Sequence, residues 1–252
     1  MKLGLIGAGN MGSALARGLG EPVLVSDPVA DRARVLAREV DGEALQRNAD
    51  VADRADILVL CHKPAQLGEV AQEIAGLAQV VVTILAATTT AQVEHAYPGV
   101  PVYRFIPNIP VGVRRGVLCY APGSLAAQGP EQEILELFGR AGLVLPLEES
   151  LLEPAMALMS CGPAFFALIC DAFSEAGSRH GLPSDEAIRM TVETMAGTAA
   201  YLAEHGFDPI SLRTVVATPG GVTERGLQAL EQGGLRELCG AAVDTVVEAS
   251  RR

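Results

Sequence analysis

Three glycines in the run Gly7-Ala8-Gly9-Asn10-Met11-Gly12 stand between the apolar stretch Leu3–Ile6 and the helical pattern Met11–Leu19. In a strand–turn–helix of this kind Gly7 permits the tight turn, Gly9 lets the backbone approach a diphosphate closely, and Gly12 lets helix and strand pack together. The free N–H groups at the helix start, those of Asn10 and Met11 among them, sit at the positive end of the helix dipole and favour an anion. Asp27 follows Gly7 by 20 residues, at the tip of the next apolar run Val23–Ser26. A carboxylate there accepts hydrogen bonds from ribose hydroxyls and repels a 2′-phosphate, which predicts a dinucleotide site with NAD favoured. Arg32 and Arg34 lie close enough in sequence to leave NADP open. Asp27-Pro28 is also a good helix start, and the two roles are compatible.

A second candidate is Pro219-Gly220-Gly221, followed by Val222, Thr223 and the amphipathic pattern Leu227-x-x-Leu230. Such a loop exposes several N–H groups at a helix N-terminus and forms a neutral cradle for a small carboxylate. The alternative reading is a turn with Thr223 as a cap. Asn108, after Pro107, is either a strand-ending turn residue or an amide that holds a cofactor carboxamide or orders the backbone beside it. His95, His180 and His205 stand singly, and no nucleophile–base pair is found. Cys61, Cys119, Cys161, Cys170 and Cys239 are scattered without a Cys-x-x-Cys pair, so they read as reduced thiols with no metal site.

These groups need elements to hold them. Apolar runs at Leu3–Ile6, Val23–Ser26, Ile57–Cys61, Val80–Ile84, Val102–Ile106, Val117–Tyr120 and Leu143–Leu147 alternate with helical patterns, which predicts a largely parallel sheet with helices on both faces. After Glu148 the β-branched runs stop. The predicted fold is α/β: a Rossmann-type dinucleotide-binding domain over 1–147, then an all-α substrate-binding and dimerisation domain over 148–252. A first long helix, Leu151–Arg179, is apolar around most of its circumference over Met156–Cys170 and predicts a homodimer.

Composition narrows the partners. The chain has 252 residues, 49% hydrophobic and 4% aromatic with no Trp, so its core is built from Ala, Val, Leu, Ile and Met. A net charge of −11 without a basic cluster argues against nucleic acid or an anionic membrane surface as partner. Most apolar runs are far shorter than the ~20 residues of a membrane span, and the longest, Ala155–Cys170, is interrupted by Ser160, Gly162 and Pro163. The chain opens directly on a strand, so the expected location is the cytoplasm.

Further segments along essentially the whole chain resemble the pyrroline-5-carboxylate reductase family. Asn48, then His62-Lys63-Pro64, is similar to that family's Asn and Val-Lys-Pro segments, and Arg104-Phe105-Ile106-Pro107-Asn108-Ile109-Pro110 to its Arg-x-Met-Pro-Asn-Thr-Pro. Ser160-Cys161-Gly162-Pro163-Ala164-Phe165 resembles Gly-Ser-Gly-Pro-Ala-Tyr. The run from Ala217 to Leu227, with Pro219-Gly220-Gly221-Val222-Thr223 inside it, resembles the Ser-Pro-Gly-Gly-Thr-Thr block. The resemblance implies NAD(P)H-dependent reduction of a cyclic imine to L-proline, in a dimer or a ring of dimers. It implies that Asn48, Lys63 and Pro64 border the cofactor and that Gly220, Gly221, Val222 and Thr223 hold the substrate carboxylate.

Hydride addition to a protonated imine needs positioning more than a strong acid. Thr223 is therefore the candidate catalytic hydroxyl near the imine nitrogen, with the cofactor supplying the hydride. Leu85, Ala87, Ile109, Met159 and Val222 replace the family's small or hydroxyl residues, and larger apolar side chains there would narrow or dry a pocket. Related readings are an imine or keto-acid reductase with another substrate and a non-catalytic NAD(P)-binding protein. A hydroxyacid-type dehydrogenase usually carries a lysine on the first long helix, and Leu151–Glu175 has none.

Overall fold

The alternating runs of the first half build one eight-stranded sheet in the computed structural model, which describes residues 1–250. Its strands are β1 (Leu3–Ile6), β2 (Val23–Ser26), β3 (Glu43–Ala44), β4 (Ile57–Leu60), β5 (Val81–Thr83), β6 (Val102–Pro107), β7 (Gly116–Pro122) and β8 (Gly142–Pro146). They lie in the order β3-β2-β1-β4-β5-β6-β7-β8, and every pairing is parallel except β6 with β7. Between them run α1 (Asn10–Leu19), α2 (Ala30–Glu39), α3 (Asn48–Arg54), α4 (Leu67–Glu73), α5 (Thr90–Ala96) and α6 (Glu131–Gly139).

Strand periodicity explains why helices cover both faces. Leu5, Ile57, Val59 and Val82 point to a core shared with Leu15 and Leu19 of α1, Leu36 of α2 and Phe138 of α6. Their neighbours Ile6, Leu58, Leu60 and Val81 point the other way, onto Val51 of α3, Val70 of α4 and Val93 of α5. Strand β3 has no counterpart among the predicted runs. Two residues at the sheet edge, one of them charged, leave no apolar alternation to read.

The helix expected over Leu151–Arg179 is two helices, α7 (Leu152–Met159) and α8 (Gly162–Arg179). Pro163 supplies no N–H and obstructs the preceding turn, so the chain breaks at Ser160–Cys161 and restarts with Pro163 in the first turn of α8. Helix α7 belongs to the sheet: its Leu152 and Met159 pack with Ile106, Cys119 and Ala121. The compact units therefore divide at Pro163/Ala164, beyond the change of composition at 147/148.

The second unit continues with α9 (Ser184–Glu204), α10 (Pro209–Val216), α11 (Val222–Gln232) and α12 (Leu235–Ser250). Asp208 caps α10, accepting from Ile210 N–H and Ser211 N–H at 2.9 and 3.1 Å, with Pro209 at the first helical position. On α8, Phe166 and Leu168 are 56% and 67% exposed. They project ~200° apart around the helix, so a single chain leaves both sides of it uncovered. Counted across the break, Glu149–Arg179 has the length and apolar composition of a membrane span. Taken apart, α7 is much too short, and α8 carries Asp171, Glu175 and Arg179.

Candidate active site

The Gly-rich turn sits at the tip of β1. Gly7 has φ +107°, a conformation that favours glycine, and a Cβ there would lie 2.7 Å from the carbonyl oxygen of Cys61 at the end of β4. At Gly12 a Cβ would come within 2.6 Å of Gly7 O and 3.0 Å of Cys61 Cβ. A Cβ on Gly9 would meet nothing within 4 Å. The first two glycines thus serve packing, while the space over Gly9 is open. No side chain caps α1, so the N–H groups of Asn10 and Met11 face that space, and the turn fits a diphosphate. Met11 itself packs against the core. Asn10, Arg17, Arg32, Ile109 and Val113 line a cleft of about 720 Å³ beside Gly9.

Asp27 braces this turn. Its Oδ2 accepts Ala8 N–H at 2.7 Å and its Oδ1 accepts Val29 N–H at 2.8 Å, binding the tips of β1 and β2 together. Helix α2 starts at Ala30 with Val29 at its N-cap, so Asp27 is not its cap. The carboxylate has further lone pairs for ribose hydroxyls. Arg34 is paired with Asp31 at 2.5 Å, whereas Arg32 lines the cleft.

Asn48 opens α3 with its side chain engaged. Its Oδ1 accepts Ser26 Oγ–H at 2.7 Å, and its Nδ2 donates to Glu73. Lys63 and Pro64 are exposed at the start of a short 3₁₀ turn beyond β4. Beside them burial pushes the His62 imidazole below its ordinary pKa and the Cys61 thiol up to about 12, so neither suits a charged role near neutral pH.

Asn108 takes the backbone-ordering role expected of it. Only 6% exposed, it donates from Nδ2 to Met159 O at 2.9 Å and accepts Val117 N–H on Oδ1 at 2.9 Å. With both ends of the amide on backbone, it orders the chain at the end of β6. Ser160 Oγ–H adds a bond to Pro107 O at 2.9 Å. Sequence reasoning gave no role to Ser160, Thr90, Glu149 or Arg104. Arg104 is 1% exposed and joined to Glu149 at 2.7 Å and Glu153 at 3.4 Å. Its signal was an arginine within an otherwise apolar strand.

The cradle lies at the start of α11. Gly220 has φ +73°, Gly221 N–H donates to Thr218 O at 2.9 Å, and no side chain caps the helix. Thr223, half-buried on the first turn, is thus within the helix and not a cap. Gly220 N–H is turned to Glu224 Oε2 at 2.8 Å, so a carboxylate of the chain itself meets one of these donors.

The five departures from the family pattern separate by environment. Leu85 and Met159 are 2% and 8% exposed and fill the core, so they do not narrow a pocket. Ala87 is exposed at φ +50°, a conformation that favours glycine. Ile109 borders the cleft beside Gly9, and Val222 is 87% exposed.

A doubly wound parallel sheet with a glycine turn at the tip of β1 and a carboxylate at the tip of β2 defines an NAD(P)-dependent oxidoreductase. Comparison with known proteins agrees. Residues 2–87 match the family described as NADP oxidoreductase, coenzyme F420-dependent, and residues 149–252 match pyrroline-5-carboxylate reductase dimerisation. The chain is 32% identical to the pyrroline-5-carboxylate reductase of Corynebacterium melassecola, over 93% of this chain and 92% of the relative. With that of Mycobacterium tuberculosis it shares 32% identity, over 99% and 94%. The solved reductase of Coxiella burnetii superposes with a TM-score of 0.89 at 28% identity, covering 99% of this chain and 97% of that one. That of Plasmodium falciparum, solved with NADP bound, gives 0.87 at 24% identity, with coverage of 99% and 97%. The chain belongs to the pyrroline-5-carboxylate reductase family, and its helical part is that family's dimerisation domain.

Proposed function

We propose that this protein reduces 1-pyrroline-5-carboxylate to L-proline with NADH or NADPH, NADH being favoured. The observation that carries the reading is kinship across nearly the full length of both chains, with the glycine turn intact and the Pro219–Thr223 cradle kept except for Val222. A bound nicotinamide supplies the hydride.

The chain's own residues bind and orient. Gly7, Gly9 and Gly12 shape the turn, and the N–H groups of Asn10 and Met11 hold the diphosphate. Asp27 accepts from the adenosine ribose and disfavours a 2′-phosphate, while Arg32 in the adjacent cleft keeps NADPH acceptable. Asn48, Lys63 and Pro64 border the dinucleotide. At the cradle Gly220 and Gly221 shape the turn, with their N–H groups engaged by Glu224 and Thr218, and the N–H groups of Val222 and Thr223 at the start of α11 take the substrate carboxylate. Thr223 Oγ1 hydrogen-bonds at the imine nitrogen. The protonated imine is electrophilic without further activation, so holding it in place accounts for most of the rate. Val222 contributes no hydroxyl, at a cost of about 0.5–3 kcal/mol depending on whether the missing bond would be charge-assisted.

The exposed apolar surface of α8 supports a homodimer, or a ring of dimers, as the working form. The acidic net charge supports a small-molecule enzyme with neither nucleic acid nor an anionic membrane as partner, and its location in the cytoplasm is part of the same proposal. Oxidation of NADH and NADPH is to be followed with pyrroline-5-carboxylate and a panel of cyclic imines and 2-keto acids. Turnover of pyrroline-5-carboxylate, faster at low NADH than at equal NADPH, is expected, and Asp27→Ser should narrow the difference. Turnover of another imine or a keto acid alone would replace the substrate assignment.

A further inference from the structure

Arg104 is an arginine on β6, between the parallel strand β5 and the antiparallel strand β7, 1% exposed, with its Nε–H buried and without a partner among the described residues. Nη1 donates to Glu149 Oε1 at 2.7 Å and Nη2 to Glu153 Oε1 at 3.4 Å. Glu149 also accepts Thr90 N–H at 2.7 Å and Thr90 Oγ1–H at 2.8 Å. One guanidinium therefore gathers the start of α5, the middle of β6 and the turn that enters α7. Burying a guanidinium against carboxylates that are themselves about a third exposed is a poor source of net stability compared with an apolar side chain of similar size. An incompletely satisfied one calls for another explanation.

The other end of α7 supplies it. Asn108 Nδ2 holds Met159 O at 2.9 Å, and Ser160 Oγ holds Pro107 O at 2.9 Å. From Arg104 to Asn108 the strand advances ~13 Å, and from Glu149 to Met159 a helical path advances roughly 15 Å. Strand and helix thus run side by side, tied at both ends, and a shift at the Arg104 end moves Met159 against Asn108. Asn108 in turn ends β6 directly before Ile109, which lines the cleft beside Gly9.

We propose that Arg104 is a positioning residue for the reaction: without touching cofactor or substrate it sets α7 along β6 and, through α7, the Asn108–Ile109 turn at the edge of the nucleotide cleft. This rests on the reductase reading given above.

The test uses the full-length protein and the variants Arg104→Met, Arg104→Lys and Glu149→Gln. Three quantities are measured: the NADH dissociation constant by fluorescence, kcat and KM with the substrate that the reductase panel identifies, and amide hydrogen exchange over 108–117 and 152–161. Arg104→Met should leave NADH affinity within about twofold, since the β1–α1 turn is not in contact with it, and lower kcat per folded molecule by about tenfold or more. Exchange in both segments should accelerate. Arg104→Lys, which keeps one charge on Glu149, should recover part of kcat. If Arg104→Met does not fold, Glu149→Gln decides, with an expected fall in kcat of about threefold or more. Faster exchange with unchanged kcat, or NADH affinity falling in step with kcat, overturns the proposal. A panel in which nothing turns over refutes the reductase reading alone. Unchanged exchange in Glu149→Gln then still refutes the role of Arg104.

Discussion

The side-chain amide of Asn108 bridges Met159 and Val117, donating to one backbone carbonyl and accepting from one backbone N–H, each at 2.9 Å. Replacing it with Ala leaves both backbone groups buried and unpaired, at a cost of ~2–4 kcal/mol for the two bonds together. Urea unfolding of Asn108→Ala should show this loss, while NADH affinity of the folded fraction stays close to that of the parent. A selective loss of NADH affinity with unchanged stability would return Asn108 to the cofactor.

Two glycines of one motif should respond in opposite ways. Gly12→Ala forces a methyl against Gly7 O and Cys61 Cβ and should lower stability by about 1–3 kcal/mol. Gly9→Ala puts its methyl into open space at φ −72°. Its melting temperature should hold, while NADH binds at least about tenfold more weakly, ~1.4 kcal/mol. Calorimetry and fluorescence titration separate the two.

Thr223→Ala should lower kcat/KM for pyrroline-5-carboxylate by about tenfold or more, ~1.4 kcal/mol, with cofactor affinity unchanged. Thr223→Ser should restore most of it. Val222→Thr should lower KM if the ligand carries a carboxylate. Steady-state kinetics that do not move in Thr223→Ala would remove its hydroxyl from the mechanism.

Glu149 makes the fold sensitive to acid. Burial raises its carboxyl, but hydrogen bonds from Thr90 N–H, Arg104 and the Thr90 hydroxyl outweigh that and hold its pKa below the ordinary 4.5. A folded-state pKa below the unfolded value contributes stability that is complete above about pH 4.5 and is lost as pH falls through the lowered value. The acid limb of the stability curve should therefore be shallower in Glu149→Gln than in the parent, measured by urea unfolding between neutral pH and pH 3. Parallel limbs would remove Glu149 from the acid response.

The uncovered sides of α8 make assembly testable. Light scattering at micromolar concentration should give at least twice the mass of one chain, and Leu168→Glu should reduce it. A monomeric parent would refute the homodimer.

The glycine turn was legible because three glycines at fixed spacing between a strand run and a helical pattern form a local signature, although Cys61, which a Cβ on Gly7 or Gly12 would meet, lies far along the chain. The cradle was legible for the same reason, a Pro-Gly-Gly turn ahead of a helical pattern. Long-range pairings were not. Nothing in the sequence near Asn108 says that its partner is the carbonyl of a residue 51 positions later, and a backbone acceptor leaves no trace in residue type. Arg104 shows the opposite case: its type was conspicuous in an apolar strand, yet its partners Glu149 and Glu153 looked like ordinary surface acids. The change in composition after Glu148 coincides with the opening of the dimerisation match at residue 149, whereas contacts divide the chain at Pro163/Ala164, because α7 is built of the same Ala, Leu and Met as the helices beyond it while its neighbours are strands.

That helix has two allegiances. By descent it belongs to the dimerisation family, whose match opens at residue 149; by contact it is a cover over β6 and β7, with Leu152 and Met159 in their core. The inherited module and the mechanical one are therefore cut at different places. A fragment begun at residue 149 would carry off the lid of the nucleotide unit, baring Ile106 and Cys119 on one piece and Leu152 on the other, whereas a division after Pro163 would leave that core intact.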